Sequence, residues 1–426
     1  MMDDRNNISL HKKAFDNAYD AKGFDIEHRK INFPLDEADC LFRGRGPFPE
    51  VYSYYYRRFS AYVIGMLSVE DSHKVLNIGC GRGFEEKNLS SLYRNLDLWS
   101  LDISSVMITH AYELECPSNL SIASAEKLPF TDEVFDRIES REVIEHVMSP
   151  SIMINEIGRV LKPGGIAVIT TENEASVSIE HTISKIKSLL SLLPGFTFNE
   201  PYKDDPPSLM QIRSFARSSG LVLERTVWDG AMYQTCGSRL FQWIFRSKLP
   251  KIAHYFSRLE SDGSVDRLFC DQSKFVLIKS GESSDQKSKD SSISFVCCEC
   301  RGPLSDGSDG KTCQACAISY KEVVPGVTDF LSYNHNRQDR NSNEFQAPKH
   351  SDDKRKPQTR FIGSLGKFIS SGIKKAILFA YFGTITSIAA SLVLYRIITK
   401  KPRLEETLEI DGRFKEYFHL QPVKKQ

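Results

Sequence analysis

The chain has 426 residues, of which 40% are hydrophobic, and a formal net charge of +1 at neutral pH. This length allows two or more domains, and this hydrophobic content excludes a chain that is disordered throughout. The first residues, Met-Met-Asp-Asp-Arg-Asn-Asn, lack a basic start followed by an apolar run, so no secretory signal is predicted. The ten cysteines are therefore not expected to form a disulfide framework.

The first informative segment is a short apolar strand followed by a glycine-rich turn. Val75 to Ile78 suits a buried parallel strand, and glycines at positions 79, 81 and 83 let the backbone turn tightly and approach a ligand. A helix is expected from Phe84 onward, and its N-terminal amides can receive a carboxylate or phosphate. Asp102 follows the glycines by about twenty residues, where a doubly wound sheet places an acid that accepts from ribose hydroxyls. The segment therefore predicts a site for an adenosine-type cofactor.

The glycine spacing separates two classes of nucleotide site. It is G-x-G-x-G here, with the third glycine one residue earlier than in the dinucleotide fingerprint. This loop resembles motif I of class I S-adenosylmethionine (SAM) methyltransferases, and four further segments follow in that family's order. They are Ser124-Ala-Glu-Lys-Leu-Pro-Phe130, Val134-Phe-Asp136, Glu142-Val-Ile-Glu-His-Val147 and Glu156-Ile-Gly-Arg-Val-Leu-Lys-Pro-Gly-Gly165. Over residues 50 to 280 the chain resembles the type 11 subgroup, which includes quinone-biosynthesis enzymes.

The resemblance implies an α/β fold with a Rossmann-like, doubly wound, mostly parallel sheet. It also implies that Gly79 and Gly81 hold the methionine end of SAM, that Asp102 holds the ribose, and that Ala125 meets the adenine edge. The full cofactor-binding set is Asn77, Gly79, Cys80, Gly81, Asp102, Ile103, Ser124, Ala125 and Glu126.

Two residues depart from the family pattern. Asn77 stands where the family usually has an acid, so the contact to the SAM amino group must run through an amide oxygen or water. Ser124 replaces the common Asp that accepts from the adenine amino group, which leaves a weaker neutral hydrogen bond. Both departures predict modest SAM affinity.

The candidate catalytic residues are Glu142, Glu145 and His146. Methyl transfer from an activated sulfonium needs alignment and, for a hydroxyl acceptor, a base. If the segment opens a helix, these three positions lie on one face beside SAM. The pattern also resembles the magnesium-binding segment of ubiquinone O-methyltransferases and of small-RNA 2′-O-methyltransferases. Two interpretations of the segment therefore remain: it binds magnesium, or it is a helix start near SAM that binds no metal.

Four cysteines give a second strong signal. Cys297-x-x-Cys300 and Cys313-x-x-Cys316 supply the paired turns that a tetrahedral structural zinc requires. Cys298 could substitute as a ligand, but the two-residue spacing favours Cys297. The following segment, Tyr320 to Phe330, resembles the Trm112-like zinc ribbon. Because such a unit cannot bury enough core unaided, the metal would stabilise it directly.

The domain organisation follows from composition. We predict an N-terminal extension, a methyltransferase domain with a lid insertion at about 172–260, a Ser-rich linker, the zinc ribbon, a disordered linker, a membrane helix and a polar tail. The corresponding ranges are 1–50, 51–280, 281–292, 293–332, 333–365, 374–398 and 399–426.

The membrane helix rests on Ala376 to Tyr395, which carries no charge over a length that can cross a bilayer. A buried core helix or an in-plane anchor would also fit this segment. Residues 349–426 contain 16 basic and 7 acidic side chains, which favours anionic lipid headgroups. The remainder is acidic, which argues against broad nucleic-acid binding.

Together these features predict a SAM-dependent methyltransferase at the cytoplasmic face of a membrane. Its acceptor would be a small-molecule or lipid-linked substrate, methylated on a hydroxyl. Three alternatives remain open: an RNA methyltransferase, a non-catalytic SAM-binding scaffold protein and an oxidoreductase.

Overall fold

The computed structural model describes residues 49–176, 205–229, 270–281 and 293–335, apart from position 308. Most of the predicted N-terminal extension, the middle of the lid insertion, nearly all of both linkers, the membrane helix at 374–398 and the polar tail lie outside these ranges. Within them, no helix is both long and apolar enough to cross a membrane. The domain boundaries stay predictions.

Helices and strands alternate over much of the described chain, as in other α/β folds. The helices are α1 (Pro49–Leu67), α2 (Phe84–Leu92), α3 (Ser105–Glu113), α4 (Pro150–Val160) and α5 (Leu209–Ser218). The strands are β1 (Lys74–Ile78), β2 (Asp97–Asp102), β3 (Asn119–Ile122), β4 (Phe135–Arg141), β5 (Leu161–Glu172), β6 (Leu221–Asp229), β7 (Gln272–Lys279), β8 (Ser305–Gly307), β9 (Gly310–Cys313), β10 (Ile318–Val324) and β11 (Val327–His335).

The described strands form one sheet in the order β6-β7-β5-β4-β1-β2-β3-β11-β10-β9-β8. Strands β1 to β5 are parallel to one another, and β7 runs antiparallel between β5 and β6. The strand order reverses beside β1, and the carboxyl ends of strands at such a point frame a ligand crevice. The Rossmann-like prediction is confirmed for this half, while the complete sheet is mixed.

Local sequence explains the main elements. The apolar side chains of β1 are fully buried, as expected for a strand covered on both faces. Helix α4 starts at Pro150, whose fixed φ favours the first helical position, and buries Met153, Ile154 and Ile157. Ser208 and Gln211 form a reciprocal capping box at the start of α5. These helices close one side of the core.

Residues 293–335, which we call the cysteine unit, extend the sheet beyond β3. Strand β11 pairs in parallel with β3, placing Thr328 opposite Ser121. The ring of Phe295 stacks on Phe130 at 5.5 Å between centroids. Phe130 is fully buried, so the unit shares apolar core with the preceding domain. The sequence predicted that metal binding alone would stabilise this unit. The fold also gives it an apolar surface of the preceding domain to pack against.

Candidate functional site

A cavity of about 410 Å³ opens at the carboxyl ends of β1, β2 and β4. This edge of the sheet is where open α/β folds bind their ligands. All nine residues predicted to bind SAM line the cavity: Asn77, Gly79, Cys80, Gly81, Asp102, Ile103, Ser124, Ala125 and Glu126.

The glycine loop has the backbone conformation that its sequence predicts. Gly79, Gly81 and Gly83 have φ angles of 78°, 54° and 76°, in the left-handed region that glycine adopts most readily. A Cβ atom on Gly79 would overlap the side chain of Val143, whereas one on Gly81 would meet no atom within 4 Å. Gly79 is therefore required by protein packing, and Gly81 leaves space on the cavity side.

Asp102 ties the glycine loop to the end of β2. Its Oδ2 atom accepts from the backbone N–H of Gly81 at 3.0 Å, and its Oδ1 atom accepts from that of Ser104 at 2.8 Å. The carboxylate lines the cavity while fixing the backbone around it. A ligand hydroxyl at this position would meet an acceptor that is already oriented.

The segment after β3 forms the next part of the cavity wall. Ser124 Oγ accepts from the backbone N–H of Glu126 at 3.2 Å. The carboxylate of Glu126 in turn accepts from the backbone N–H of Ser149, just before α4, at 2.7 Å. Both side chains are buried, so they hold the segment in shape as well as lining the cavity.

A charged cluster on the cavity wall was missed by sequence reasoning. Arg141, the last residue of β4, pairs with Glu85 at 2.6 Å and with Glu139 at 3.0 Å. Ser60 of α1 donates to Glu85 at 2.7 Å. Phe59, Glu85 and Arg141 all line the cavity. The position of Arg141 directly before the Glu142 segment was the signal available in the sequence.

The candidate catalytic segment is a turn, because α4 begins only at Pro150. The shared helical face expected for Glu142, Glu145 and His146 is therefore wrong. Glu142, with φ of 54°, accepts from the Thr170 hydroxyl at 2.9 Å. Glu142 and His146 line the cavity, whereas Glu145 is buried behind it and accepts from the Thr171 hydroxyl at 2.9 Å.

Burial changes the proton affinity of the two carboxyl groups. It raises the pKa of Glu142 to about 7, against the opposing hydrogen bonds from Thr170 and Gln272. Burial and the neighbouring Glu142 raise the pKa of Glu145 well above its ordinary value. Glu142 is therefore the carboxyl group of this pair that can exchange a proton near neutral pH.

The four predicted zinc ligands come together. The sulfur atoms of Cys297, Cys300, Cys313 and Cys316 lie within 4.8 Å of one another. Tetrahedral thiolates bound to one zinc ion are about 3.8 Å apart, so this set fits the metal. In the described part of the chain, no other group of three or more His, Cys, Asp or Glu residues does the same, so magnesium at Glu142, Glu145 and His146 stays a prediction.

Two neighbours distinguish Cys297 from Cys298. The hydroxyl oxygen of Tyr320 accepts from the backbone N–H of Cys298 at 3.1 Å and lies 3.3 Å from the sulfur of Cys297. This arrangement directs the hydroxyl proton toward Cys297. The sulfur of Cys298 points instead to the carbonyl oxygen of Lys127, at 3.7 Å. The prediction that Cys297 is the ligand of the pair agrees with this geometry.

The comparison with known families agrees with the fold and the cavity. A family model described as a methyltransferase domain matches residues 76–169, from β1 to β5. The matched range contains the glycine loop, Asp102, the Ser124 segment and the Glu142 turn. The chain therefore contains a methyltransferase domain and is an enzyme that uses SAM.

Individual relatives show which methyltransferases the chain is similar to. It is 27% identical to a ubiquinone biosynthesis O-methyltransferase from Alkalilimnicola ehrlichii over 199 residues, 46% of this chain and 77% of the relative. It is 34% identical to a malonyl-[acyl-carrier protein] O-methyltransferase from Erwinia pyrifoliae over 106 residues, 24% of this chain and 39% of the relative. A solved geranyl diphosphate C-methyltransferase from Streptomyces coelicolor has a TM-score of 0.40 at 13% identity, covering 63% of this chain and 98% of the other.

Proposed function

We propose that the protein transfers the methyl group of SAM to a hydroxyl oxygen of a small-molecule or lipid-linked acceptor. The observation that carries this proposal is that Glu142 and His146 line the same cavity as the nine predicted SAM-binding residues. A donor and a proton acceptor in one cavity are what O-methylation requires. The similarity to a ubiquinone biosynthesis O-methyltransferase supports the choice of a hydroxyl.

The chemistry assigns a role to each part of the cavity. Asp102 accepts from the ribose hydroxyls, the glycine loop receives the methionine end, and the segment at Ser124 meets the adenine. The hydroxyl oxygen attacks the methyl carbon, the carbon–sulfur bond breaks, and SAM leaves as the neutral thioether. Glu142 takes the hydroxyl proton, and its raised pKa suits this step at neutral pH.

Two further assignments belong to this proposal. The four clustered cysteines hold one zinc ion. Four thiolates fill its coordination and leave no open position for catalysis, so the zinc is structural. The protein acts at a membrane with its SAM-using domain on the cytoplasmic face, a proposal that the uncharged segment at 376–395 and its basic flanks support. A lipid-linked acceptor would then be within reach of the cavity.

The test is to incubate the purified full-length protein with methyl-labelled SAM and an extract of lipids and small metabolites. Mass spectrometry should find the label as a methyl ether in the lipid or metabolite fraction, and Glu142→Gln should lower its yield. A parallel incubation with total cellular RNA tests the alternative, and label found on that RNA would support the RNA methyltransferase instead. The absence of labelled product from every fraction would contradict the proposed reaction.

A further inference from the structure

Asn77 has a buried carboxylate directly behind it. Its side-chain Nδ2 donates to Glu86 Oε1 at 2.8 Å. Glu86 lies in the first turn of α2, where the helix dipole favours an acid, and is 1% exposed. The same Oε1 atom accepts from the hydroxyl of Ser100 at 2.6 Å, and Ser100 lies opposite Asn77 in the pairing of β1 with β2. Glu86 is thus fixed beneath the cavity wall.

This contact determines how the Asn77 amide is oriented. Burial raises the pKa of Glu86, and the hydrogen bonds from Ser100 and Asn77 oppose that shift by favouring the ionised form. In that form the carboxylate only accepts hydrogen bonds, so the NH₂ group faces Glu86. The amide oxygen Oδ1 is then the atom left for a ligand in the cavity that Asn77 lines. SAM carries an α-ammonium group, which needs such an acceptor. Only the side chain of Asn77 would then separate the negative charge of Glu86 from the ammonium group, so the two charges attract each other.

We propose that Glu86 is a positioning residue for SAM, which turns Asn77 Oδ1 toward the α-ammonium group and balances its charge. Asn77 and Glu86 together then do what a single acid at position 77 would do. This inference rests on the proposed assignment of the cavity to SAM. It goes beyond that assignment because Glu86 does not line the cavity and acts only through Asn77.

The test compares two ligands of full-length protein by isothermal titration calorimetry. S-adenosylhomocysteine carries the α-ammonium group, whereas 5′-methylthioadenosine has the same nucleoside without the amino-acid part. Glu86→Gln should weaken the first by about tenfold, the scale of one charge-assisted hydrogen bond, and change the second less than about twofold. A purely structural role of Glu86 would weaken both ligands equally, and that result would overturn the proposal.

A charge-exchange variant tests the same inference independently. Asn77→Asp combined with Glu86→Gln keeps the hydrogen-bonded pair and its single negative charge but moves the charge to position 77. It should restore S-adenosylhomocysteine affinity to within about threefold of wild type, since an acid then faces the ammonium directly. If this folded variant binds as weakly as Glu86→Gln alone, the proposal is wrong.

One more variant separates this proposal from the assignment of the cavity. Asp102→Ala should weaken both ligands, because both carry the ribose. If Asp102→Ala changes neither affinity, the SAM assignment fails and the inference falls with it. If Asp102→Ala weakens both but Glu86→Gln weakens neither, only the inference about Glu86 is overturned.

Discussion

Arg301 of the cysteine unit donates to the carboxylate of Glu156 on α4 at 2.7 Å, across 145 positions of sequence. Glu156 also accepts from Arg159 at 2.9 Å and from the backbone N–H of Leu128 at 2.9 Å. Leu128 lies two positions after Glu126, the last residue of the predicted adenine-binding segment. One buried carboxylate therefore joins the cysteine unit, α4 and the chain just after the cavity-lining residues Ser124 to Glu126.

We expect Glu156→Gln to lower the free energy of unfolding by about 2 kcal/mol, because it removes the charge between two arginines at a site that is 4% exposed. Urea unfolding of the full-length protein measures this. The matched control is Glu133→Gln. The Glu133 side chain pairs with Lys279 and is 53% exposed, so this substitution should lower the free energy of unfolding by less than about 0.5 kcal/mol.

The same variant has a defined pH dependence. Burial would raise the pKa of Glu156, but its hydrogen bonds and charge interactions with Arg159 and Arg301 lower the pKa below the ordinary value of 4.5. A lowered folded-state pKa stabilises the fold above the unfolded pKa, and this contribution is lost as pH falls through the folded value. The stability difference between wild type and Glu156→Gln should therefore shrink as the pH falls below 4.5 and through the lower folded-state pKa. A constant difference down to pH 3 would contradict this account.

Gly81→Ala should reduce SAM affinity at least tenfold while leaving the fold intact. Its Cβ would lie in open space with no protein atom within 4 Å, at a residue that lines the cavity, and would occupy room meant for the ligand. The positive φ adds a backbone cost of about 1 kcal/mol. Gly220→Ala is the matched control, since it has φ of 69° and similar open space but does not line the cavity. Calorimetry and thermal unfolding should show equal stability loss for both variants and lost affinity only for Gly81→Ala.

Glu142→Gln should remove the ascending limb near pH 7 from the dependence of kcat on pH. With a pKa of about 7, the carboxyl group is protonated and inactive as a base below that pH and ionised above it. The measurement is the steady-state rate from about pH 5.5 to 9, with the acceptor that the labelling experiment identifies as substrate. Glu174→Gln, at an exposed carboxylate, should keep the wild-type profile. An unchanged limb in Glu142→Gln would show that another group is the base.

Local chemistry explains why the residues that line the cavity were predictable. The glycines, Asp102 and the Ser124 segment each act within a few residues of their own strand end, so their spacing shows where the cavity lies. The turn at Glu142 was not predictable in the same way. The acids and histidine at 142–146 also fit the start of a helix. The helix begins only at Pro150, whose fixed φ favours the first helical position.

Long-range contacts account for the rest of what the sequence left out. Nothing near Thr328 indicates that its strand pairs with β3, about two hundred residues earlier, because open strand edges accept many partners. The same holds for Arg141 with Glu85 and for Asn77 with Glu86, which meet only after the strands assemble. Sequence spacing identified the four cysteines but not the surface on which their unit packs.

Zinc should be present at one ion per chain and should depend on Cys297 but not on Cys298. Cys297 belongs to the set of four sulfur atoms, whereas the sulfur of Cys298 points to the carbonyl of Lys127. Elemental analysis of the full-length protein, purified without chelator, should find zinc in wild type and in Cys298→Ala and little in Cys297→Ala. Equal zinc loss in both variants, or no zinc in wild type, would contradict the assignment.

Deletion of residues 366–426 should move the protein from the membrane fraction to the soluble fraction without loss of SAM binding. An uncharged segment of this length, such as 376–395, is favoured in lipid, while the proposed SAM cavity is lined by residues between 59 and 147, far earlier in the chain. Sedimentation after gentle lysis, followed by calorimetry with SAM, measures both properties. Both flanks of the segment are basic, so the orientation follows from the cofactor, which requires the SAM-binding domain to face the cytoplasm. Full-length protein found wholly in the soluble fraction would mean that this segment packs against protein instead of lipid.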